Sequence, residues 1–368
     1  MSRLERFAAC PFQFFVHSGL RAGERERFEV DVRQTGSFQH EVLARFHAEV
    51  IRQGLRWRDL AIADARNLVA AVAADLAAEF GRGLFLTEAR RRFEVRALTT
   101  SLQDLVATLV GWMRARYAFD PMAVECEFGG ATAALPALEV ELGEGRKLEL
   151  RGKIDRIDAA PRPDAPGKLI IVIDYKSSER KLDATRVEHG LELQLPAYLA
   201  VLRARGAVLP WMDGAPVEPA GMFFVPLRRP DERLGHRTGE GRPIKPYQHR
   251  GRFNEAFLPL LDGRAEDAEP SGQFSYRAGG KGGGRASDSL PAAEFRQLLD
   301  NVERMLGDMG RQIFAGRAEV SPYRRNATDT ACQHCLYASV CRFDPWLHEY
   351  RRLGRANPAR GEAAGATD

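Results

Sequence analysis

Four cysteines limit how this chain can fold: Cys10 stands near the amino terminus, while Cys332, Cys335 and Cys341 crowd together near the other end. The triplet reads C-Q-H-C-L-Y-A-S-V-C, and its two short gaps bring three thiolates around one centre. Cys10, in C-P-F-Q-F-F, is the obvious fourth ligand. Four thiolates suit an iron-sulfur cluster or a structural zinc, and spacing alone does not separate the two. Either would close nearly the whole chain into a loop. Treated as a cross-link, that closure stabilises by at most about 5 kcal/mol. The metal centre is therefore expected to be a staple around whatever lies between.

With 368 residues, 44% of them hydrophobic, the chain can bury one large core or two small ones. Of its 5 cysteines, four fit the metal site and Cys126 lies in an apolar stretch. That usage argues against a secreted disulfide framework and for a reducing compartment. No apolar run is long enough to span a bilayer, and M-S-R-L-E-R-F lacks the apolar centre of a signal peptide. A soluble cytoplasmic protein without a membrane partner is expected. The net charge of +4 permits a nucleic-acid partner without requiring one.

Apolar residues recur at helical spacing from Phe38 to Phe80, which predicts two amphipathic helices, and again from about Arg91 to Tyr117, before Asp120-Pro121. Residues 1–120 are thus expected to form a helical layer. After Pro121 come M-A-V-E-C-E-F, L-E-V-E-L, K-L-E-L-R-G-K-I-D-R-I-D and K-L-I-I-V-I-D-Y, which read as consecutive strands. A helix follows in L-E-L-Q-L-P-A-Y-L-A-V-L, with Pro196 tolerable only in its first turn, and then the strand G-M-F-F-V-P-L. These segments make a β-β-β-α-β core over residues 121–227.

Residues 228–290 turn polar and rich in Gly and Pro, which predicts a mobile insertion. Its run G-G-K-G-G-G-R lacks the Gly-Lys-Ser/Thr ending of a phosphate loop. Helix returns from Phe295 to Phe314, ahead of the cysteine triplet, and residues 354–368 read as a disordered tail. One α/β domain over residues 1–353 is expected.

The chemistry-bearing residues lie inside the loop that the cysteines would close. Asp155 ends one expected strand, and Asp174 and Lys176 end the next. Alternation points Asp174 and Lys176 to one face and Tyr175 to the other. Paired as a hairpin, the two strands bring both carboxylates and the ammonium into one site. Hard oxygen ligands of this kind suit magnesium (Mg2+), and a lysine beside the metal orients or deprotonates an attacking water. His40, in G-S-F-Q-H, offers an imidazole. Gln194 and Tyr198 lie four residues apart and face the same way on their helix, placed to support the lysine and the scissile phosphate. An exposed hairpin with a simple Asp174–Lys176 salt bridge is the plainer alternative.

In order along the chain, S-R-L-E-R-F-A-A-C-P-F-Q-F-F, G-S-F-Q-H, V-E-C-E-F-G, G-K-I-D-R-I-D, I-D-Y-K-S, Q-L-P-A-Y, G-M-F-F-V and the cysteine triplet resemble the PD-(D/E)XK nucleases of the RecB-like branch with an iron-sulfur staple. Within that branch the series is most similar to the nuclease domain of AddB subunits, and it covers nearly the whole chain apart from the glycine-rich stretch and the tail. The resemblance implies a restriction-endonuclease-like α/β core, with a mixed sheet flanked by helices. It implies that Cys10, Cys332, Cys335 and Cys341 ligate a 4Fe-4S cluster. It makes Asp155, Asp174, His40 and the Tyr175 carbonyl metal ligands for Mg2+ or manganese (Mn2+). It makes Lys176 the residue acting on water, Gln194 and Tyr198 supports, and Glu125 an acidic position of the first core strand.

The activity implied is hydrolysis of single-stranded DNA, on the 5′-ended strand, during resection of double-strand breaks in a bacterial cytoplasm. AddB subunits are much longer, with a helicase-like portion ahead of the nuclease, whereas Met1 here falls almost at the domain boundary. With no Walker loop in the sequence, ATP-driven unwinding is expected from an AddA-like partner. A truncated or split subunit, or a stand-alone iron-sulfur exonuclease, fits that departure. The rival of another class is a catalytically silent module that holds DNA or a helicase. An inactive relative is expected to lack a metal ligand or the lysine, and this chain retains all three.

Overall fold

In the computed structural model, which describes residues 1–23, 32–79, 89–228, 246–263, 272–276 and 288–354, a six-stranded mixed sheet separates two helical layers. The strands are β1 (Asp120–Phe128), β2 (Leu138–Gly143), β3 (Arg146–Leu150), β4 (Gly152–Pro161), β5 (Lys168–Lys176), β6 (Val217–Pro226), β7 (Arg250–Asn254) and β8 (Ser289–Leu290). Their order in the sheet is β1-β4-β5-β6-β7-β8, with β2 and β3 paired separately. The helices include α1 (Ser2–Ala9), α2 (Pro11–Phe14), α3 (Val32–Arg52), α4 (Ile62–Glu79), α5 (Ala89–Ala115), α6 (Gln194–Arg205), α7 (Ala292–Phe314) and α8 (Ala338–Cys341).

Strand β5 runs antiparallel to β4 and parallel to β6, so the chain must cross over between β5 and β6. Helix α6 makes that crossover, and Pro196 lies in its first turn, where its missing N–H costs no helical bond. Alternation along β5 divides the core. Leu169, Ile171, Ile173 and Tyr175 face α3, α4 and α5, while Ile170 and Val172 face α1, α6 and α7. The helices answer with buried stripes: Phe38, Val42, Phe46 and Val50 on α3, and Phe295, Leu299, Val302 and Leu306 on α7.

Four expectations change. The amino-terminal third is not one layer, because α1 packs with α6 and α7 on the opposite face of the sheet from α3–α5. Asp120 and Pro121 open β1 rather than close a helix; α5 already ends at Ala115, and Pro121 is tolerated because β1 is an edge strand. The segment K-L-E-L-R-G-K-I-D-R-I-D is two strands, β3 and β4, so Asp155 lies inside a 10-residue strand and not at its end. Residues 228–290 are not simply an insertion, since β7 and β8 extend the sheet. A Cβ at Gly251 would collide with the Met222 carbonyl, so glycine there permits β7 to approach β6. The glycine run and the tail lie outside the described residues.

A charged pair sits where the sheet meets the α3–α5 layer. Arg156 and Asp158, both fully buried on β4, form a two-pronged ion pair. The Tyr117 hydroxyl donates to Asp158 at 2.8 Å, Arg156 donates to the Tyr175 hydroxyl at 3.0 Å, and the guanidinium stacks 4.9 Å from the Trp57 ring centroid. Every prong is satisfied, which is the condition for such a pair to be tolerated. Arg156→Leu leaves Asp158 buried without its countercharge and is expected to cost about 3–5 kcal/mol. A denaturant midpoint equal to that of the unmodified protein would contradict this.

Two buried histidines give the fold an acid limit. His47 accepts from the Trp57 indole at 3.1 Å, and burial, then the Arg156 charge, pushes its pKa down to about 4. His249 lies among Trp112, Phe223 and Phe274, and burial, then the same arginine, pushes it down to about 3. Unfolded, both take up a proton near 6.5. The unfolded chain therefore binds more protons below pH 6.5, and stability falls as pH drops from there through the folded values. Melting temperature followed from neutral to acid pH should decline accordingly, with a shallower slope in His249→Phe.

Candidate active site

Strands β1, β4 and β5 carry one cluster of acidic and basic side chains, and α3 and α6 close it from opposite sides. Val124 pairs with Arg156 and Cys126 with Ile154, so Glu125 stands opposite Asp155. Glu125 has a left-handed backbone, φ 49°, which is costly for a residue with a side chain and tends to occur at functional positions. Ile154 and Ile157 pack in the same core layer although strict alternation would separate them, so β4 is kinked at Asp155. Local strain and the opposition of two carboxylates thus coincide.

Helix α3 delivers His40 to this kink. Its Nδ1 lies 3.2 Å from Glu125 Oε1 and 3.6 Å from Asp155 Oδ2. Burial opposes charge on the imidazole, but the Glu125 hydrogen bond and the Asp155 and Glu125 charges outweigh it and raise its pKa. One ligand atom from each of His40, Glu125 and Asp155 lies within 4.8 Å of the other two, an arrangement that could hold a metal ion. Lys153, two residues from Asp155, forms an ion pair with Glu125.

Asp155 is also fixed from β5: its Oδ2 accepts the Tyr175 amide at 2.8 Å. The Tyr175 side chain turns to the opposite layer and meets Arg156. Asp174 is 1% exposed, and its Oδ2 is paired with the Lys176 ammonium at 2.5 Å. Burial raises both aspartates, and the Asp174 charge raises Asp155 further. On α6, Gln194 Nε2 donates to Asp174 Oδ1 at 2.6 Å, and its Oε1 accepts from Lys176 at 3.1 Å. Gln194 Nε2 lies 3.3 Å from the Tyr198 hydroxyl, whose pKa burial pushes up to about 12.

His40, Glu125, Asp155, Asp174, Lys176, Gln194 and Tyr198 therefore form one connected cluster, and the Tyr175 side chain borders it, its ring edge-to-face with His40 at 6.0 Å and its hydroxyl on Arg156. Sequence reading missed Lys153, although period two places it on the face of Asp155. It also missed Glu5, whose Oε1 accepts the Leu193 and Gln194 amides at 2.7 and 3.2 Å. The available signal was negative: α6 has Leu193 at its N-cap, with no capping side chain of its own.

The chain ends that carry the cysteines lie against each other. Cys10 is the C-cap of α1, the Phe12 amide donates to the Glu319 carbonyl at 3.1 Å, and the Tyr337 hydroxyl donates to the Ala22 carbonyl at 2.8 Å. Arg351 donates to the Ala8 carbonyl. Burial raises the Cys332 and Cys335 thiols, and Cys10 and Cys341 raise both further. Among the described residues, no three cysteine sulfurs lie within 4.8 Å of one another. The buried Cys126 stands apart in β1.

Among the described residues no helix is long and apolar enough to cross a membrane. The chain is 36% identical to the AddB-type ATP-dependent helicase/deoxyribonuclease subunit of Moorella thermoacetica, over 96% of this chain and 31% of that protein. The proteins of the same name from Symbiobacterium thermophilum and Lysinibacillus sphaericus are 35% and 31% identical, over 96% and 97% of this chain and 30% and 31% of theirs. The chain thus spans about a third of the length of these curated relatives. Residues 1–342 match the model of the PD-(D/E)XK nuclease superfamily. With the kinked acidic strand pair, the adjacent lysine and a match over nearly its whole length, the chain belongs to the PD-(D/E)XK nuclease superfamily.

Proposed function

We propose that this chain is a Mg2+-dependent deoxyribonuclease that hydrolyses single-stranded DNA in the processing of double-strand breaks. The observation that carries the reading is the convergence of His40, Glu125, Asp155 and the buried Asp174 beside Lys176. A buried set of carboxylates with an imidazole among them fits a hard divalent cation. His40, Glu125, Asp155 and Asp174 would hold it, with manganese as an alternative to magnesium. An extended residue presents its amide and carbonyl to the same neighbouring strand, so the Tyr175 carbonyl faces the Asp155 side and is a further candidate. Bound there, the metal supplies Lewis-acid stabilisation of charge on the phosphate.

The chain's own groups do the remainder. Lys176, held by Asp174 and Gln194, donates a hydrogen bond that orients the attacking water. Gln194 fixes the lysine and the aspartate in one geometry, and Tyr198 supports Gln194. The relatives' name joins a helicase and a deoxyribonuclease. It supports an AddA-like partner that unwinds DNA, and the resemblance to AddB nuclease domains makes the strand fed to this site, in a bacterial cytoplasm, the 5′-ended one.

Cleavage of labelled single-stranded DNA should require Mg2+, and Asp174→Ala or Lys176→Ala should lower it by on the order of a hundredfold or more. Retention of DNA without metal-dependent cutting, or equal cutting by all three proteins, would defeat the reading.

For the four cysteines we infer a structural 4Fe-4S cluster. Four thiolates suit zinc as well as a cluster, and the resemblance to the nucleases with an iron-sulfur staple favours the cluster. Anaerobically purified protein should be brown, and Cys335→Ala should lose the colour together with melting temperature and protease resistance. A colourless protein carrying stoichiometric zinc would overturn this.

A further inference from the structure

Helix α6 brings Gln194 to the centre of the candidate site, yet nothing in its own sequence fixes where it starts. Its N-cap is Leu193, which makes no side-chain capping bond. A helix start leaves its first amides without partners, and an uncapped start frays. Both amides at this start are instead taken by one carboxylate from α1: Glu5 Oε1 accepts from Leu193 at 2.7 Å and from Gln194 at 3.2 Å. The positive end of the helix favours the negative charge.

What hangs on that start is unusually specific. Gln194 is the first residue of α6, and its amide side chain is the bridge between Asp174 Oδ1 and the Lys176 ammonium. The preceding loop is also pinned: Gly190 has φ +73°, and a Cβ there would collide with Met309. Glu192 binds Arg180 at 2.8 Å and accepts the Asp183 amide at 2.9 Å. The main chain on either side of Leu193 is thus held, and Glu5 sets the one point where loop becomes helix.

We infer that Glu5 is a positioning residue of the hydrolytic reaction: by anchoring the first turn of α6 it sets Gln194, and through Gln194 the placement of Lys176 against Asp174. This rests on the nuclease reading for the reaction but not for the anchor. Glu5 touches neither Asp174 nor Lys176 in any hydrogen bond, so its effect should fall on turnover more than on DNA affinity. Glu5→Met keeps the volume and removes the acceptor, whereas Glu5→Gln keeps an acceptor oxygen without the charge.

The test is single-strand cleavage with Mg2+ by the full chain and both variants, alongside amide hydrogen exchange at Leu193 and Gln194. Glu5→Met should lower kcat by about tenfold to a hundredfold with KM for DNA changed less than about twofold, as expected for losing hydrogen bonds to a charged acceptor. Exchange at the two amides should quicken by at least about tenfold. Glu5→Gln should recover most of both. Wild-type turnover in Glu5→Met, or unchanged exchange there, overturns the inference. So does a loss shared equally by kcat and the melting temperature that Glu5→Gln fails to rescue. Should the unmodified protein not cut DNA, the nuclease reading fails separately, and the exchange measurement still decides whether Glu5 anchors α6.

Discussion

The ion pair of Arg156 and Asp158 is the interaction on which the geometry of the site depends. Burying two opposite charges yields little net stability, since desolvation consumes most of the attraction. Here the pair is completed by Tyr117, Tyr175 and Trp57, so one guanidinium ties β4, β5 and the linker between α3 and α4 to each other. Arg156 follows Asp155, and Tyr175 lies between Asp174 and Lys176. On β5 the alternation that turns the Tyr175 ring to Arg156 turns Asp174 and Lys176 to the other side, while on β4 the kink at Asp155 sets its carboxylate apart from the buried Arg156. A pair that adds little energy thereby sets the register of every residue that carries chemistry.

That register forces three carboxylates together at the kink. Glu125 and Asp155 oppose each other across strands, and Asp174 arrives buried from β5. Lys153, His40 and Lys176 offset part of the charge, each from a different side. Burial still raises Asp155 and Asp174 above the usual carboxylate range. A site that only stabilised the fold would be better served by apolar residues of similar size. The arrangement makes sense as a receptor for a cation.

The sequence shows the parts of this site whose signal is local. Asp174 and Lys176 are legible from period two in an apolar strand, and Gln194 with Tyr198 from period four in a helix. His40 is legible as a residue type on a helix, but even the nearer of its partners, Glu125, lies 85 residues away and only tertiary packing supplies them. Arg156 reads as an ordinary polar residue in I-D-R-I-D, because burial of a charge is set by what surrounds it. Strand β7 is missed for a different reason: R-G-R-F-N joins the sheet through its backbone, and its side chains carry no apolar alternation. Glu5 is the extreme case, 188 residues from the amide it caps.

The same α1 helix that presents Glu5 ends at Cys10, and the two residues lie about 7.5 Å apart along its axis. A helix this short moves as a rigid piece. Whatever holds Cys10 therefore holds Glu5, and through it the start of α6. The hydrogen bonds from Arg351 to Ala8 and from Phe12 to Glu319 already press the carboxyl-terminal segment onto this helix. A cluster bound by Cys10 and the triplet would add covalent restraint at the same end. On that reading the staple needs no contact with DNA or metal to matter for hydrolysis. Its order reaches Lys176 by one rigid helix, one carboxylate and one glutamine, which reconciles a cysteine site at the rim of the fold with chemistry at its centre.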